Sequence, residues 1–529
     1  MKSYSRKIES AVVASTREDM LSIVSAWSPE ERADREKKFV RRIDRRLLPI
    51  LILMYIMNYI DRNALPQARI QGLEADIGLR GVEYNVALSV LFVGYVSMQI
   101  PSNMILGIVR PSWYLATCMV VWGIVSGCSG AVQGFGGLVA ARFFLGITEA
   151  PFFVGVAFLF SGWYTRKELG TRLGIFFCGA MLSGAFGGLF AAGIAAAFRN
   201  SRIESWRWLF IIEGVATVVF AVATGFIIPD WPATTKWLSE EERALGVVRL
   251  VEDAGDEEED ISTNAAFKMA VTDYRVWLCI LGQVRQRTST SWSYAYKIQI
   301  CVQAVASLTN FLPTLVRNFG FSTIHTLLLT APPYVLTAAI CVLNTWNSDR
   351  TSNRSLHIVV PTLATVAGIV ITLATTHIGA RYFALFLMLP GTYACFQLSN
   401  AWMASIAARP RKKRAIALAM NNSFGNTALT WTPYLYPRGD GPRYVKAWSV
   451  NLGLSAVLLI STIALSLLLR RDNRRADAAA VQNLSTETKR SDGLKSGDIH
   501  EVVESEFGNE TVGRELRGRN TGATARFQV

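Results

Sequence analysis

The sequence is poor in charged residues for its length. Only 18% of the 529 residues are charged, whereas about a quarter of the residues of a soluble domain are. There are 4 histidines and 7 cysteines, and none of the cysteines pairs with a histidine at metal-ligand spacing. We therefore expect no metal and no other cofactor.

Other recognisable patterns are missing as well. The sequence has no nucleophile–base pair, no metal-spaced His/Cys set and no phosphate-binding glycine loop. Its basic clusters are not interleaved with aromatic residues, as the surface of a nucleic-acid-binding protein would be. These absences argue against an enzyme and against a nucleic-acid partner.

What the sequence has instead is long hydrophobic runs. Hydrophobic residues make up 51% of the chain, and a membrane-spanning helix needs about 20 of them in a row. Helices are expected because lipid offers no water to bond the backbone. The predicted spans are 47–66, 84–106, 113–132, 138–161, 173–197, 208–229, 298–316, 326–346, 355–376, 382–406, 415–436 and 446–469.

These spans predict an all-α membrane protein with twelve transmembrane helices in two pseudo-symmetric halves of six. Basic loops at 166–172 and 409–414 follow the fourth and the tenth span, which supports the duplication and places both termini in the cytoplasm. The predicted segments are a cytoplasmic N-terminal segment (1–46), an N-terminal half (47–229), a cytoplasmic central loop (230–276), a C-terminal half (277–469) and a disordered cytoplasmic tail (470–529).

One segment, Val284–Gln303, does not fit this layout. Without it, 277–283 would join 304–316 as one uncharged span of suitable length. Two interpretations remain open. Either the segment is a retained in-frame intron or gene-model error, or it is an amphipathic stretch that precedes a seventh helix over 298–316.

Two charged residues lie inside the fourth span. Arg142 precedes Glu149 by seven residues, almost two helical turns, so both side chains project from one face. A charge at this depth costs at least about 2.5 kcal/mol, so we expect these two to face a protein interior or an aqueous path. The structural alternatives are that Arg142 snorkels to the surface and that Glu149 only bridges helices. For Glu213, in the sixth span, we expect a structural role.

The first span contains a second charged group. Only 47–60 is uncharged, which is too short to cross a bilayer, so the helix must continue through Asp61 and Arg62. Successive residues point about 100° apart, so one of the two can face a cavity while the other contacts a neighbouring helix. The alternative is an interfacial pair that ends the helix. Neutral side chains that could complete a site are Asn63, Gln397, Asn400 and Asn422.

The distribution of these residues predicts a transport site between the two halves. Acids and arginines lie in the N-terminal half, and the C-terminal half offers neutral amides. An anion held near the midplane would be attracted to an arginine, and a buried acid would carry a proton with it.

Several stretches resemble a known family. They are Tyr55–Leu73, Gly94–Leu106, Arg142–Phe158, Trp163–Phe177, Ser205–Gly214, Leu329–Val335 and Gly441–Val445. The chain resembles the major facilitator superfamily and, within it, the fungal allantoate and nicotinate permease branch of the anion:cation symporter family. Asp349, Arg350 and Arg354 are similar to the loop motif that the superfamily has beside its eighth span.

The resemblance implies proton-coupled uptake of a small organic carboxylate, similar to nicotinate, allantoate or pantothenate, by alternating access. It implies proton coupling at Asp61 and Glu149, carboxylate binding at Arg62 or Arg142, and gating at the loop motif. We expect a monomer, in the plasma membrane rather than the vacuole. The alternatives are a drug:proton antiporter or neutral-solute facilitator of the same fold, and a non-transporting nutrient receptor, which a disrupted seventh helix would favour.

Overall fold

The computed structural model describes residues 19–106, 109–254, 307–351, 353–406 and 426–460, and single positions up to 471. Within these ranges the chain forms helices and turns, and no strand. The anomalous segment 284–303, Asn422 and nearly all of the predicted tail 470–529 lie outside the described residues.

The longer helices follow the predicted spans closely. The helices are α1 (Pro29–Ile70), α2 (Glu83–Leu106), α3 (Pro111–Cys128), α4 (Phe135–Ser161), α5 (Arg166–Ala197), α6 (Ser205–Ile227), α7 (Glu240–Ala254), α8 (307–317), α9 (Thr323–Thr351), α10 (Leu356–Ala374), α11 (Ile378–Ile406) and α12 (Val445–Ile460). The short helix Ala428–Trp431 lies within the predicted eleventh span.

Six helical segments of the described ranges are long and apolar enough to cross a membrane by themselves. They are Pro111–Ala131, Phe135–Ser161, Thr171–Ala197, Ser205–Ile227, Thr323–Ser348 and Leu356–Ala374. The prediction of an all-helical membrane protein is therefore confirmed. Helix α1 is not among the six, because Asn58 and the polar run 61–63 interrupt its apolar stretch.

Two helix starts are fixed by side chains that bond free backbone N–H groups. Ser28 precedes α1, and its hydroxyl accepts a hydrogen bond from the Glu31 N–H at 3.2 Å. At the start of α5, Thr165 and Glu168 form a reciprocal capping box. Such caps stabilise a helix by about 1 kcal/mol each.

Helix α7 belongs structurally to the N-terminal half. It lies in the predicted central loop, between α6 and α8. Arg42 of α1 contacts Glu242 of α7 at 2.6 Å, and Arg249 of α7 pairs with Glu168 of α5. These ion pairs hold α7 against α1 and the start of α5.

Helices α2 and α4 touch backbone to backbone. A Cβ atom on Gly146 would lie 2.9 Å from the Tyr95 nitrogen and would overlap the Leu91 carbonyl oxygen. Only glycine permits this approach. Arg142 and Glu149 lie four residues before and three residues after Gly146, so the contact brings their shared helix face against α2.

The two halves meet along α5 and α9. A Cβ atom on Gly184 would lie 2.6 Å from the ring of Tyr334, and one on Gly188 would overlap Thr330. Small residues at helical spacing permit such close packing of membrane helices. Arg69 at the end of α1 also reaches across the halves and donates to the Thr314 hydroxyl at 3.5 Å.

Candidate functional site

A cavity lies between the two halves. Its walls come from α1, α2, α4 and α5 on one side, and from α8, α11 and residues 426–429 on the other. It encloses roughly 900 Å³, part of which is open to solvent. The two charged side chains in the described part of its wall, Arg62 and Arg142, are both cationic. The cavity is therefore electrostatically suited to an anion.

Arg62 forms an ion pair with Glu149, which lies behind the cavity wall. Its Nε donates to Oε2 of Glu149 at 2.5 Å, and its guanidinium lies 4.6 Å from the ring of Tyr95 and 5.3 Å from that of Tyr59. Glu149 is fully buried. The other carboxylate oxygen of Glu149 has no hydrogen-bond partner within the described ranges, although the Asn58 amide lies close enough to interact electrostatically. The pair links α1 to α4.

Asp61 points away from the cavity. It is fully buried, and it accepts hydrogen bonds from Trp122 Nε1 at 3.2 Å, Ser126 Oγ at 2.7 Å and Thr217 Oγ1 at 3.0 Å. Its partners lie on α3 and α6, whereas its neighbour Arg62 lines the cavity. Successive residues of a helix point about 100° apart, so Asp61 and Arg62 face different sides of α1. The two residues do not end the helix, since α1 continues to Ile70.

Arg142 is the second cation of the cavity wall, and Glu149, Asp61 and Glu213 lie within electrostatic range of it. The residue is only 1% exposed, so it does not snorkel to the membrane surface. Its Nε and Nη2 have no hydrogen-bond partner among the described residues, and its guanidinium lies 5.4 Å from the ring of Phe210. A buried guanidinium with free donors is ready to bind an acceptor from the cavity.

The C-terminal half contributes two amides to the wall. Gln397 of α11 donates from Nε2 to the Gly174 carbonyl of α5 at 3.3 Å, and its Oε1 has no partner among the described residues. Asn310 of α8 also lines the cavity, and its Nδ2 makes no hydrogen bond within the same ranges. The sequence did not predict Asn310. The available signal was an amide inside the apolar run 304–316. Asn63 of α1 completes this polar set.

The remaining predicted site residues are not brought into the cavity by the described contacts. Asn400 lies on α11 and Asp349 in the last turn of α9, and the structure does not describe their side chains. Arg350 follows Asp349, and its guanidinium lies 5.4 Å from the Trp346 ring. Arg354 lies in the loop before α10. The three loop-motif residues thus cluster at the α9–α10 connection.

Glu213 of α6 forms a third buried acidic position. It is 2% exposed, and neither carboxylate oxygen has a hydrogen-bond partner in the part of the chain that the structure describes. Its charged neighbours are Asp61 of α1 and Arg142 of α4. The sequence predicts a structural role for Glu213, and this stays a prediction.

Comparison with known proteins identifies the family. The Major Facilitator Superfamily model matches residues 51–433. The chain is 31% identical over 452 residues to the MFS-type transporter cnsO of Penicillium expansum, covering 83% of this chain and 84% of that protein. It is 30% identical over 483 residues to the major facilitator-type transporter hxnP of Emericella nidulans, covering 88% of this chain and 94% of that protein.

A solved structure shows the same fold. It is that of a bacterial homolog of the human lysosomal transporter Spinster, in an inward-facing, unoccupied conformation. The TM-score is 0.55 at 15% sequence identity, and the match covers 80% of this chain and 94% of that one. With a family match over most of its length and relatives that are transporters, this chain is a member of the major facilitator superfamily and a membrane transporter.

Proposed function

We propose that the transporter is a proton-coupled symporter that imports a small organic carboxylate. The observation that supports this most strongly is Arg142, a buried guanidinium in the cavity wall, two nitrogens of which make no hydrogen bond to any described residue. Leaving a buried charge unpaired is unfavourable. A carboxylate accepts two parallel hydrogen bonds from a guanidinium. An organic anion that enters the cavity therefore supplies what Arg142 lacks.

The ion pair between Arg62 and Glu149 offers a way to couple the anion to a proton. When Glu149 takes up a proton, Arg62 loses its negative partner and becomes free to bind the anion. One proton and one monovalent anion together leave the net charge of the buried site unchanged. Because uncompensated buried charge is costly, the site favours binding both together over either alone.

Asp61 is the second proposed proton-coupling residue. Its three hydrogen-bond partners are all neutral donors on α3 and α6. A change in its protonation therefore alters bonds between helices rather than contacts with substrate. In this scheme Glu149 exchanges a proton against the anion, and Asp61 links proton uptake to helix movement.

The rest of the predicted layout completes the proposal. The two six-helix halves would rock about the cavity, which is the usual motion of transporters with repeated halves. Asn63, Gln397, Asn400 and Asn422 are proposed substrate contacts. The loop motif at 349–354 is proposed to act in gating. We place the protein, as a monomer, in the plasma membrane and in the allantoate and nicotinate permease branch.

Uptake by whole cells tests this function. A yeast strain that lacks its own carboxylate permeases would express the full chain, and in parallel a form without 284–303, and receive radiolabelled carboxylates at acid and neutral pH. We expect acid-stimulated uptake of at least one anion. Arg142→Gln should abolish it, while Asp61→Asn and Glu149→Gln should remove the acid stimulation. Arg80→Gln is the matched control, because this arginine is exposed in the loop after α1.

The outcomes separate the candidate functions. Uptake that is equal at both pH values and insensitive to Arg142→Gln would refute proton-coupled anion transport and favour a neutral-solute facilitator. Acid-driven export would favour an antiporter. Correct surface delivery with a nutrient signal but no flux would favour a receptor, and uptake by the shortened form alone would identify 284–303 as the cause of inactivity.

A further inference from the structure

We infer that Glu213 of α6 is the counter-ion of Arg142 while the carrier returns without substrate, and that it takes up a proton when the substrate anion replaces it. This inference rests on the proposed function and adds a second acid–arginine pair to its mechanism. It gives a role to a buried acid that the proposed mechanism does not use.

One face of α6 carries Glu213 between a contact to Arg142 and a contact to Asp61. Phe210 lies one turn before Glu213, and the centre of its ring is 5.4 Å from the guanidinium carbon of Arg142. Thr217 lies one turn after Glu213, and its hydroxyl donates to Asp61 at 3.0 Å. Residues three and four apart share a helix face, and these three residues of α6 are all buried. Glu213 therefore lies along α6 between the proposed anion-binding arginine and the partners of Asp61.

Glu213 and Arg142 both lack bonds that a buried charge needs. They lie within electrostatic range of each other, and they are only 2% and 1% exposed. Neither oxygen of Glu213 and neither Nε nor Nη2 of Arg142 makes a hydrogen bond to any described residue. A buried charge is unfavourable when it is uncompensated, and a carboxylate and a guanidinium compensate each other. The two do not bond in this structure, so their pairing belongs to another step of the transport cycle.

Few other charges act on Glu213. Its electrostatic neighbours are Arg142 and Asp61, and only Arg142 is a cation. Helices α3 and α5 also contact α6, and they have no charged residue in their predicted spans. On α6 itself, Arg207 is already paired with Asp76 at 2.8 Å. Arg142 is therefore the cation with which an ionised Glu213 would pair.

Each arginine of the cavity wall then has an acid of its own. Glu149 pairs with Arg62, and Glu213 pairs with Arg142 in the empty carrier. An anion that binds Arg142 displaces the carboxylate of Glu213, which takes up one proton from the same side of the membrane. One negative charge and one proton arrive together, so the net charge of the site does not change. When the anion leaves, Glu213 releases the proton to the same side and pairs with Arg142 again.

This pairing matters most when the carrier returns without substrate. Net uptake needs that return step, whereas exchange of one anion for another does not. Without an acid at position 213, Arg142 would pass through the return step as an uncompensated buried charge, which is unfavourable. Loss of Glu213 should therefore slow net uptake much more than exchange.

Transport by the full-length protein in proteoliposomes tests the inference. Radiolabelled nicotinate, allantoate and pantothenate would be supplied in two modes, as net uptake driven by an inward proton gradient and as exchange against the same unlabelled anion at equal pH. In Glu213→Gln the ratio of net uptake to exchange should fall at least about tenfold. Glu213→Asp keeps a carboxyl group and should recover part of this ratio. Glu204→Gln is the matched control, because this acid is exposed just before α6.

Binding of nicotinate gives a second readout. An ionised Glu213 competes with the anion for Arg142, so part of the affinity of the wild type should be lost as the pH rises. Glu213→Gln and Glu213→Met remove this competitor. Both should therefore bind nicotinate severalfold more tightly than the wild type at pH 8, and the difference should shrink at pH 5. A purely structural role would not make binding tighter.

The outcomes separate this inference from the proposed function. Arg142-dependent, acid-stimulated uptake with an unchanged ratio of net uptake to exchange in Glu213→Gln would overturn the inference and leave carboxylate symport intact. Equal loss of both modes in Glu213→Gln, or weaker binding by Glu213→Met at pH 8, would also overturn it, because Glu213 would then be a structural residue. If the wild type transports no carboxylate in an Arg142-dependent manner, the proposed function itself fails.

Discussion

Replacing either Arg62 or Glu149 should destabilise the protein strongly. Replacing both should cost less than the sum of the two single changes. Removing one member of a buried pair generally costs about 3–5 kcal/mol, because the other charge stays behind uncompensated. Glu149→Gln leaves Arg62, whose side chain is 13% exposed and keeps the rings of Tyr95 and Tyr59 nearby. The two cation–π contacts offset about 0.5–1 kcal/mol each, so we expect a loss of about 1–4 kcal/mol.

Arg62→Gln should be the more harmful single change. Glu149 is fully buried, and its second carboxylate oxygen already has no hydrogen-bond partner among the residues described. We expect a loss of about 3–5 kcal/mol for Arg62→Gln. The double variant removes both charges, so the coupling energy between the two sites should be at least about 2 kcal/mol.

Unfolding in mixed micelles, followed by tryptophan fluorescence, would measure these free energies. The pair of Arg42 and Glu242, between α1 and α7, is the control, because it is also an Arg–Glu pair between two helices but its side chains are 44% and 25% exposed. Exposed pairs contribute only about 0–1 kcal/mol. Additive losses at positions 62 and 149, or a coupling no larger than that of the control pair, would refute the claim that the two residues form one buried unit.

The remaining predictions concern packing and hydrogen bonding. Gly146→Ala should lower the yield of folded protein sharply in size-exclusion chromatography, because the new Cβ meets the α2 backbone, whereas Gly193→Ala, which has open space, should not. Glu213→Met should leave the free energy of unfolding unchanged or raise it by about 1–3 kcal/mol. The reason is that an apolar side chain replaces a buried carboxyl that has no partner among the described residues. A lower free energy of unfolding would contradict this. Asp61→Asn should cost less than about 1 kcal/mol in the same assay, since an amide can still bond Trp122 and Ser126, and Asp61→Leu several times more.

Much of the fold follows from the sequence because lipid imposes simple rules. A spanning helix needs a long apolar run, and its backbone groups must bond one another because lipid offers no partners. These two rules predict the ends of α2 to α6 and α9 to α11 to within seven residues. The continuation of α1 through Asp61 and Arg62 follows from the same length rule, and the structure has both residues inside one helix, with Asp61 buried and Arg62 at the cavity wall.

The pairing inside the site could not be predicted in the same way. The sequence places Arg142 and Glu149 on one helix face, but nothing in it says that Glu149 bonds to Arg62 on another helix. The approach of α2 to α4 is equally hidden, because it is permitted by two single glycines, Gly94 and Gly146, which no periodicity encodes. Asn310 was not predicted either, because a single amide in an apolar run is only a weak sign of a binding site.

The contacts between the halves have a consequence for how easily the transporter changes state. Where described, they include two long hydrogen bonds, Arg69 to Thr314 at 3.5 Å and Gln397 to Gly174 at 3.3 Å, beside the smooth glycine surface of α5. Bonds of this length contribute little to holding the halves together. In the proposed alternating-access cycle, breaking them would therefore cost little, and each 1.4 kcal/mol of differential ligand affinity would shift the ratio of the two states tenfold.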